Sequence, residues 1–184
     1  MQGIGANRRK RLIIEFAFLG LLVFLIVFDQ ITKYHFSTTI GIGDRVAVID
    51  GFFYFTYTLN NGAAWSFLSG VSWAQTFFKI ITIVALIIFT FVYVYSLKKG
   101  YKWLKVSLIF IISGTIGNFI DRLFNNGCVV DFLSFVFDEY SFPVFNLADT
   151  FLVVGMIMFV IHLLFIDRNA VFKKKDDSKK VSDK

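Results

Sequence analysis

The chain has 184 residues, is 57% hydrophobic and holds 25 Phe against a single Pro, with a mean hydropathy of +0.69. Soluble domains run roughly 45–50% apolar, so this composition excludes an ordinary soluble domain and points to one membrane domain. The lone Cys128 excludes an intrachain disulfide framework and a thiolate metal cluster, and the net charge of +6 acquires its meaning only from where the charges lie.

A stretch of about 20 apolar residues can cross a bilayer. The first such stretch covers 12–36, with Glu15 near one end and Asp29 and Lys33 near the other. It opens with the basic RRKR of a signal peptide. Its core, however, runs into FDQITKYHF without a small-residue cleavage pattern, so it reads as an uncleaved anchor. Residues 37–72 form no membrane helix. Within them RVAVIDGFFYFTYTL is rich in β-branched and aromatic residues, which suits short strands, and NNG at 60–62 reads as a turn. The second span is 73–97, with Lys79 snorkelling near its start, and the third is 103–124. Residues 125–142 repeat the strand grammar, with NNG at 125–127 followed by CVVDFLSFVF. The fourth span is 143–166, and the charged tail 169–184 reads as disordered. The predicted fold class is an all-α membrane protein in a single domain over 1–184: four transmembrane helices with a small extracytoplasmic β-sheet subdomain.

Most of the 19 Lys and Arg flank the spans on one side: before the first, in the turn between the second and third, and after the fourth. That pattern predicts both termini in the cytoplasm and the two long loops outside. It also assigns the positive charge to topology and anionic lipid rather than to nucleic acid.

In this topology Asp121, late in the third span, and Asp149, early in the fourth, lie at similar depth near the outer face. Gly114, Asn118 and Asp121 stand at i, i+4 and i+7, one face of a helix. A charge in lipid costs at least ~2.5–3.5 kcal/mol, so such groups face the bundle interior. Plainer readings stand beside this one. Asn146 and Asp149 have the spacing of a helix N-cap pair. Asp29 and Lys33 have that of an intrahelical ion pair. Asp121 beside Arg122 is a candidate interfacial charge cluster, and His162 reads as interfacial. The two His fall at opposite membrane ends, against a zinc site, and no phosphate loop or nucleophile elbow is present. Two acids close together share a proton, one serving as base and the other as acid. Spacing alone leaves open both aspartic-protease chemistry and a transporter with a proton-carrying acid.

Five motifs occur in order: DQITK at 29–33, NNGAAWSF at 60–67, GTIGNFIDRL at 114–123, VVDF at 129–132 and FPVFNLAD at 142–149. Together they closely resemble the bacterial lipoprotein signal peptidases, the type II signal peptidase family. The resemblance implies an aspartic endopeptidase of the bacterial cytoplasmic membrane, its active site toward the extracytoplasmic side. It would remove the signal peptide from diacylglyceryl-modified prolipoproteins, cleaving before the lipidated Cys. Asp121 and Asp149 would be the catalytic pair, supported by Asp29, Lys33, Asn60, Gly62, Asn118, Arg122, Asn146 and Ala148. No metal or organic cofactor is implied; partners would be the lipid-modified precursors, membrane lipids and globomycin-type inhibitors, with the protein a monomer. The outer loop beginning at Asn60 would be mobile and cover the site. The Asp29 and Lys33 pair on the first span predicts that Asp29→Ala weakens folding or substrate binding more than chemistry. A pure kcat loss at unchanged stability would contradict this.

Overall fold

The structure is a computed structural model that describes residues 2–62, 73–99 and 101–166. In chain order the elements are helix α1 (Gln2–Thr39), strands β1 (Arg45–Ile49) and β2 (Phe53–Asn60), helices α2 (Ala74–Lys99) and α3 (Lys102–Phe124), strands β3 (Val129–Phe137) and β4 (Tyr140–Ser141), and helix α4 (Leu147–Ile161). α4 runs on into a short π-helical stretch, His162–Ile166. Each helix is long and apolar enough to cross a membrane. The expected spans are therefore present with shifted ends. α1 extends on both sides of 12–36, and α4 begins at Leu147 rather than at 143. Pro143 holds the preceding residue extended, and Phe145 pairs with Leu133 of the sheet before the helix can start. The tail 169–184 and the loop positions 63–72 lie outside the described residues.

α3 is the central post. Its apolar side chains Leu104, Leu108, Ile109, Ile111 and Ile112 are buried, whereas α1, α2 and α4 turn rows of Leu, Ile, Val and Phe outward, as lipid-facing helices do. α1 reaches it through Leu25, which clusters with Ile109 and with Phe151 of α4. α2 reaches it through Leu86, Phe89 and Val92, around Leu104, Leu108 and Ile112. At the end away from the sheet, Lys105 of α3 forms an ion pair with Glu15 of α1, and Arg11 donates to the Leu97 carbonyl at 2.9 Å.

α3 and α4 approach most closely, and small residues allow it. A Cβ added at Gly114 would overlap the Ala148 carbonyl. One at Gly155 would lie 2.8 Å from both Ile111 N and the Ser107 carbonyl oxygen. The polar residues of α3, Asn118 and Asp121, are thereby pressed against the first turn of α4 instead of against lipid.

The four strands form one antiparallel sheet in the order β1-β2-β3-β4. Asn126 and Gly127 both have positive φ (53° and 87°), the conformations Asn and Gly tolerate, and so turn the chain from α3 into β3. The top of α1 supports the sheet: the Phe36 ring lies 4.6 Å from that of Phe55 and 4.5 Å from that of Phe132, centroid to centroid. The two loop segments expected to carry strands thus meet as one sheet over the ends of α1, α3 and α4.

Gly155→Ala is expected to destabilise the protein by about 1–3 kcal/mol, the cost of overpacking a closely packed contact. Thermal unfolding in detergent measures it; an unchanged midpoint would mean that α3 and α4 have slack at this level.

Candidate active site

The site is built at the sheet end of the bundle. On α1, Asp29 and Lys33 stand one turn apart with their side chains 2.9 Å apart. Lys33 Nζ also lies 3.0 Å from Asp121 Oδ2 and donates to Asn118 Oδ1 at 3.0 Å. Asp29, Lys33 and Asp121 are all buried. An ammonium in such a place requires partners on every side. The other oxygen of Asp29 accepts the Ala148 N–H at 2.9 Å, which fastens α1 to the first turn of α4. Gln30 Nε2 donates to Asp29 Oδ2, Asp121 Oδ1 and the Gly117 carbonyl at 3.1, 3.2 and 3.1 Å. Asp121 Oδ2 accepts the Val130 N–H at 2.9 Å. Asp121 is thus held by one cation, shared with Asp29, and two N–H donors.

Asp149 lies on the first turn of α4, where it and Asn146 form a reciprocal capping box. Asn146 Oδ1 accepts the Asp149 N–H at 2.9 Å, and Asp149 Oδ2 accepts the Asn146 N–H at 3.2 Å. The free N–H groups at a helix start favour a carboxylate there. The remaining oxygen, Asp149 Oδ1, accepts Asn118 Nδ2 at 2.7 Å. The capping role seen in the sequence is real, and the same residue still faces the polar centre.

The neighbouring carboxyl is Asp131, carried on β3 opposite Thr58 of β2. Its Oδ1 accepts Asn146 Nδ2 at 2.7 Å and its Oδ2 accepts Asn60 Nδ2 at 2.9 Å. Asn146 Nδ2 is shared, reaching Asn118 Oδ1 at 3.1 Å and the Val130 carbonyl at 3.2 Å. Asp131 is 2% exposed, while Asp149 is only half-buried. Burial, and then the negative charge of Asp149, push Asp131 up to about 7, against the pull of the Asn60 and Asn146 hydrogen bonds and of the Lys33 charge. Arg122 donates to the Asn118 carbonyl at 3.3 Å and stacks its guanidinium 5.6 Å above the Phe78 ring, with its charge acting on Asp149, Asp131 and Asp121.

All ten expected site residues therefore fall in one largely buried hydrogen-bond network, with Arg122 and Gly62 at its edge. Gly62 enters through its N–H, which donates to Asn60 Oδ1 at 3.0 Å. Ala63, Ala64 and Trp65, with the covering loop expected there, lie outside the described residues. Asp121 and Asp149 belong to this network, but Lys33 and Asn118 stand between them. The carboxyl that shares a donor residue with that of Asp149 is Asp131: Asn146 gives its backbone N–H to Asp149 Oδ2 and its Nδ2 to Asp131 Oδ1. Sequence reasoning missed Asp131 and Gln30 as site residues. The signal for Asp131 was an acid in the apolar strand CVVDFLSF, and that for Gln30 was its place inside DQITK. His162 is buried, its ring 5.1 Å from that of Tyr101.

A family profile described as signal peptidase (SPase) II matches residues 21–165. The lipoprotein signal peptidase of Staphylococcus aureus strain Newman is 42% identical over 144 residues, which is 78% of this chain and 85% of that protein. Two bacterial membrane enzymes solved by the in meso method share the fold. One has a TM-score of 0.71 at 39% identity, over 89% of this chain and 94% of its own. The other has a TM-score of 0.68 at 42% identity, over 81% and 93%. With the match spanning all four helices and the sheet, the chain belongs to the signal peptidase II family and is a multi-pass membrane peptidase.

Proposed function

We propose that this protein removes the signal peptide from diacylglyceryl-modified prolipoproteins by aspartic-protease chemistry, with Asp131 and Asp149 as the acting pair. One observation carries the pairing. Asn146 donates its Nδ2 to Asp131 Oδ1 and its backbone N–H to Asp149 Oδ2, so one residue contacts both carboxyls. This reading moves the partner of Asp149 from Asp121, expected from sequence, to Asp131. Asp121 is held by Lys33, which it shares with Asp29, and by the N–H groups of Gln30 and Val130, so it serves here as a support.

The pair divides its labour by environment. Asp149, on the first turn of a helix and partly open, is the base that takes a proton from water. Asp131, buried and raised to about 7, holds a proton near neutrality and donates it to the scissile carbonyl oxygen. Water attacks the carbonyl carbon to give a tetrahedral diol. Asp149 then returns its proton to the leaving amine, and the C–N bond breaks as Asp131 recovers its own. Asn60, Asn118 and Asn146 hold the two carboxyls during both transfers.

The substrate's signal helix is itself a membrane span, and its lipidated Cys rides at the outer leaflet. The basic flanks of the spans support a cytoplasmic-membrane protein with both termini inside and the sheet end outside, where the scissile bond would be delivered. The protein acts as a monomer among membrane lipids, and a globomycin-type cyclic peptide is expected to occupy the same acids.

Asp131→Asn and Asp149→Asn are each expected to lower cleavage of a diacylglyceryl-modified precursor by at least about a thousandfold while the protein still folds. Asp121→Asn should lose stability and rate yet keep measurable turnover. Near-normal turnover in Asp131→Asn would return the role to Asp121.

The rate should also fall as pH rises through about 7, because the acid must be protonated. The Asn60 hydrogen bond favours the ionised form, so Asn60→Ala is expected to move this alkaline limb of kcat/KM to higher pH; an unmoved limb would argue that another group sets it. The sign for stability agrees: the folded state holds this proton more tightly than the unfolded chain, so the contribution of Asp131 to stability declines as pH rises from the ordinary carboxylate range to about 7.

A further inference from the structure

We infer that Lys33 is a positioning residue for the reaction, locking the side-chain amide of Asn118 in the orientation that aims Nδ2 at Asp149. The inference rests on the Asp131–Asp149 reading above. An asparagine amide is nearly symmetric in shape, and its hydrogen-bond partners decide which end is oxygen. Lys33 Nζ can only donate, so the atom 3.0 Å from it must be Oδ1. That leaves Nδ2 facing Asp149 Oδ1 at 2.7 Å. The reversed amide would set an oxygen against a carboxylate and an N–H against an ammonium, two repulsive contacts in a buried place where neither is screened.

The second asparagine of the site is locked by a different device. Asn146 Oδ1 accepts a backbone N–H of the α4 cap, which also can only donate, so its Nδ2 is directed to Asp131. The two amides then meet, Asn146 Nδ2 donating to Asn118 Oδ1 at 3.1 Å. Each acid is thus held by an amide whose sense is dictated by a group that cannot accept.

Lys33 is held in turn by Asp29 and Asp121, and their other contacts are backbone N–H groups and Gln30. This gives Asp121 its place: it anchors the lysine that orients the amide that supports the base. Arg122 from α3 and Asp131 from β3 act on Asp149 by charge, while Lys33 of α1, with Asp29 and Asp121, lies behind the Asn118 amide that donates to Asp149.

The test is the charge-neutral double variant Lys33→Met with Asp121→Asn, which removes one positive and one negative charge together. It is expected to fold, to keep KM within about twofold, and to lose kcat about tenfold, with the acidic limb of the kcat/KM profile moved up by about one pH unit, the equivalent of tenfold. In that background Asn118→Ala should cost less than in the wild type, because the amide is no longer locked. An unchanged acidic limb with full kcat would overturn the inference and leave Lys33 a structural residue. Lys33→Arg keeps a cation that can only donate. It should retain the wild-type limb even if the double variant fails to fold, and a displaced limb in Lys33→Arg would equally overturn the inference. Failure of the underlying pairing reads out separately, as near-normal turnover in Asp131→Asn.

Discussion

The ammonium of Lys33 is the group on which the interior depends. It is 2% exposed, in a helix whose other faces meet lipid, and it is surrounded by Asp29, Asp121 and Asn118. Removing one partner from such a cluster strands a buried charge, which costs far more than the pair contributes when intact. Its value is therefore in arrangement. Only one packing of α1 on α3 brings Asp29 and Lys33 to Asn118 and Asp121, so the ion cluster selects the rotation of α1 that a greasy surface alone would leave undecided.

Close approach of α3 and α4 makes that selection useful. The glycines at 114 and 155 let the two backbones nearly touch. The polar stripe of α3 then meets the capped first turn of α4, and Ala148 N–H finds Asp29. The strands complete the arrangement from above: β3 returns from α3 directly over the site, so that one of its side chains points down between Asn60 and Asn146. Helices thus supply Asp149 and its supports, and the sheet supplies Asp131.

The environments of the two proposed acids differ in the way an acid–base pair needs. One is half-open, at the positive end of a helix and hydrogen-bonded to an amide. The other is enclosed, in a strand, next to a like charge. Water can reach the first, while burial and the neighbouring charge push the second up to about 7. The ordered arrangement around them leaves little to reorganise when a scissile bond arrives, which is how a preorganised site lowers a barrier.

Much of this was legible in the chain itself. Four spans, the helical stripe of Gly114, Asn118 and Asp121, the cap pair Asn146 and Asp149, and two β-prone loops all follow from local periodicity and residue type, and the structure carries each of them. Periodicity within one element says which residues share a face, but it is silent on partners from another element. The pairing of Asp149 is a question of that second kind. Asp121 and Asp149 lie on adjacent helices at matching depth, and sequence reasoning joins them on that ground. The position of Lys33 on a third helix and of Asp131 on a strand is set by how α1 docks and how β3 folds back, through contacts between residues such as Asn60 and Asp131 that lie far apart in the chain. The amino-acid sequence thus determined the membrane helices, the caps and the identity of the polar residues, because those depend on near neighbours. Tertiary structure alone decided which carboxyl meets a cation and which meets another carboxyl, because charge pairing depends on distances across the bundle that no local pattern encodes.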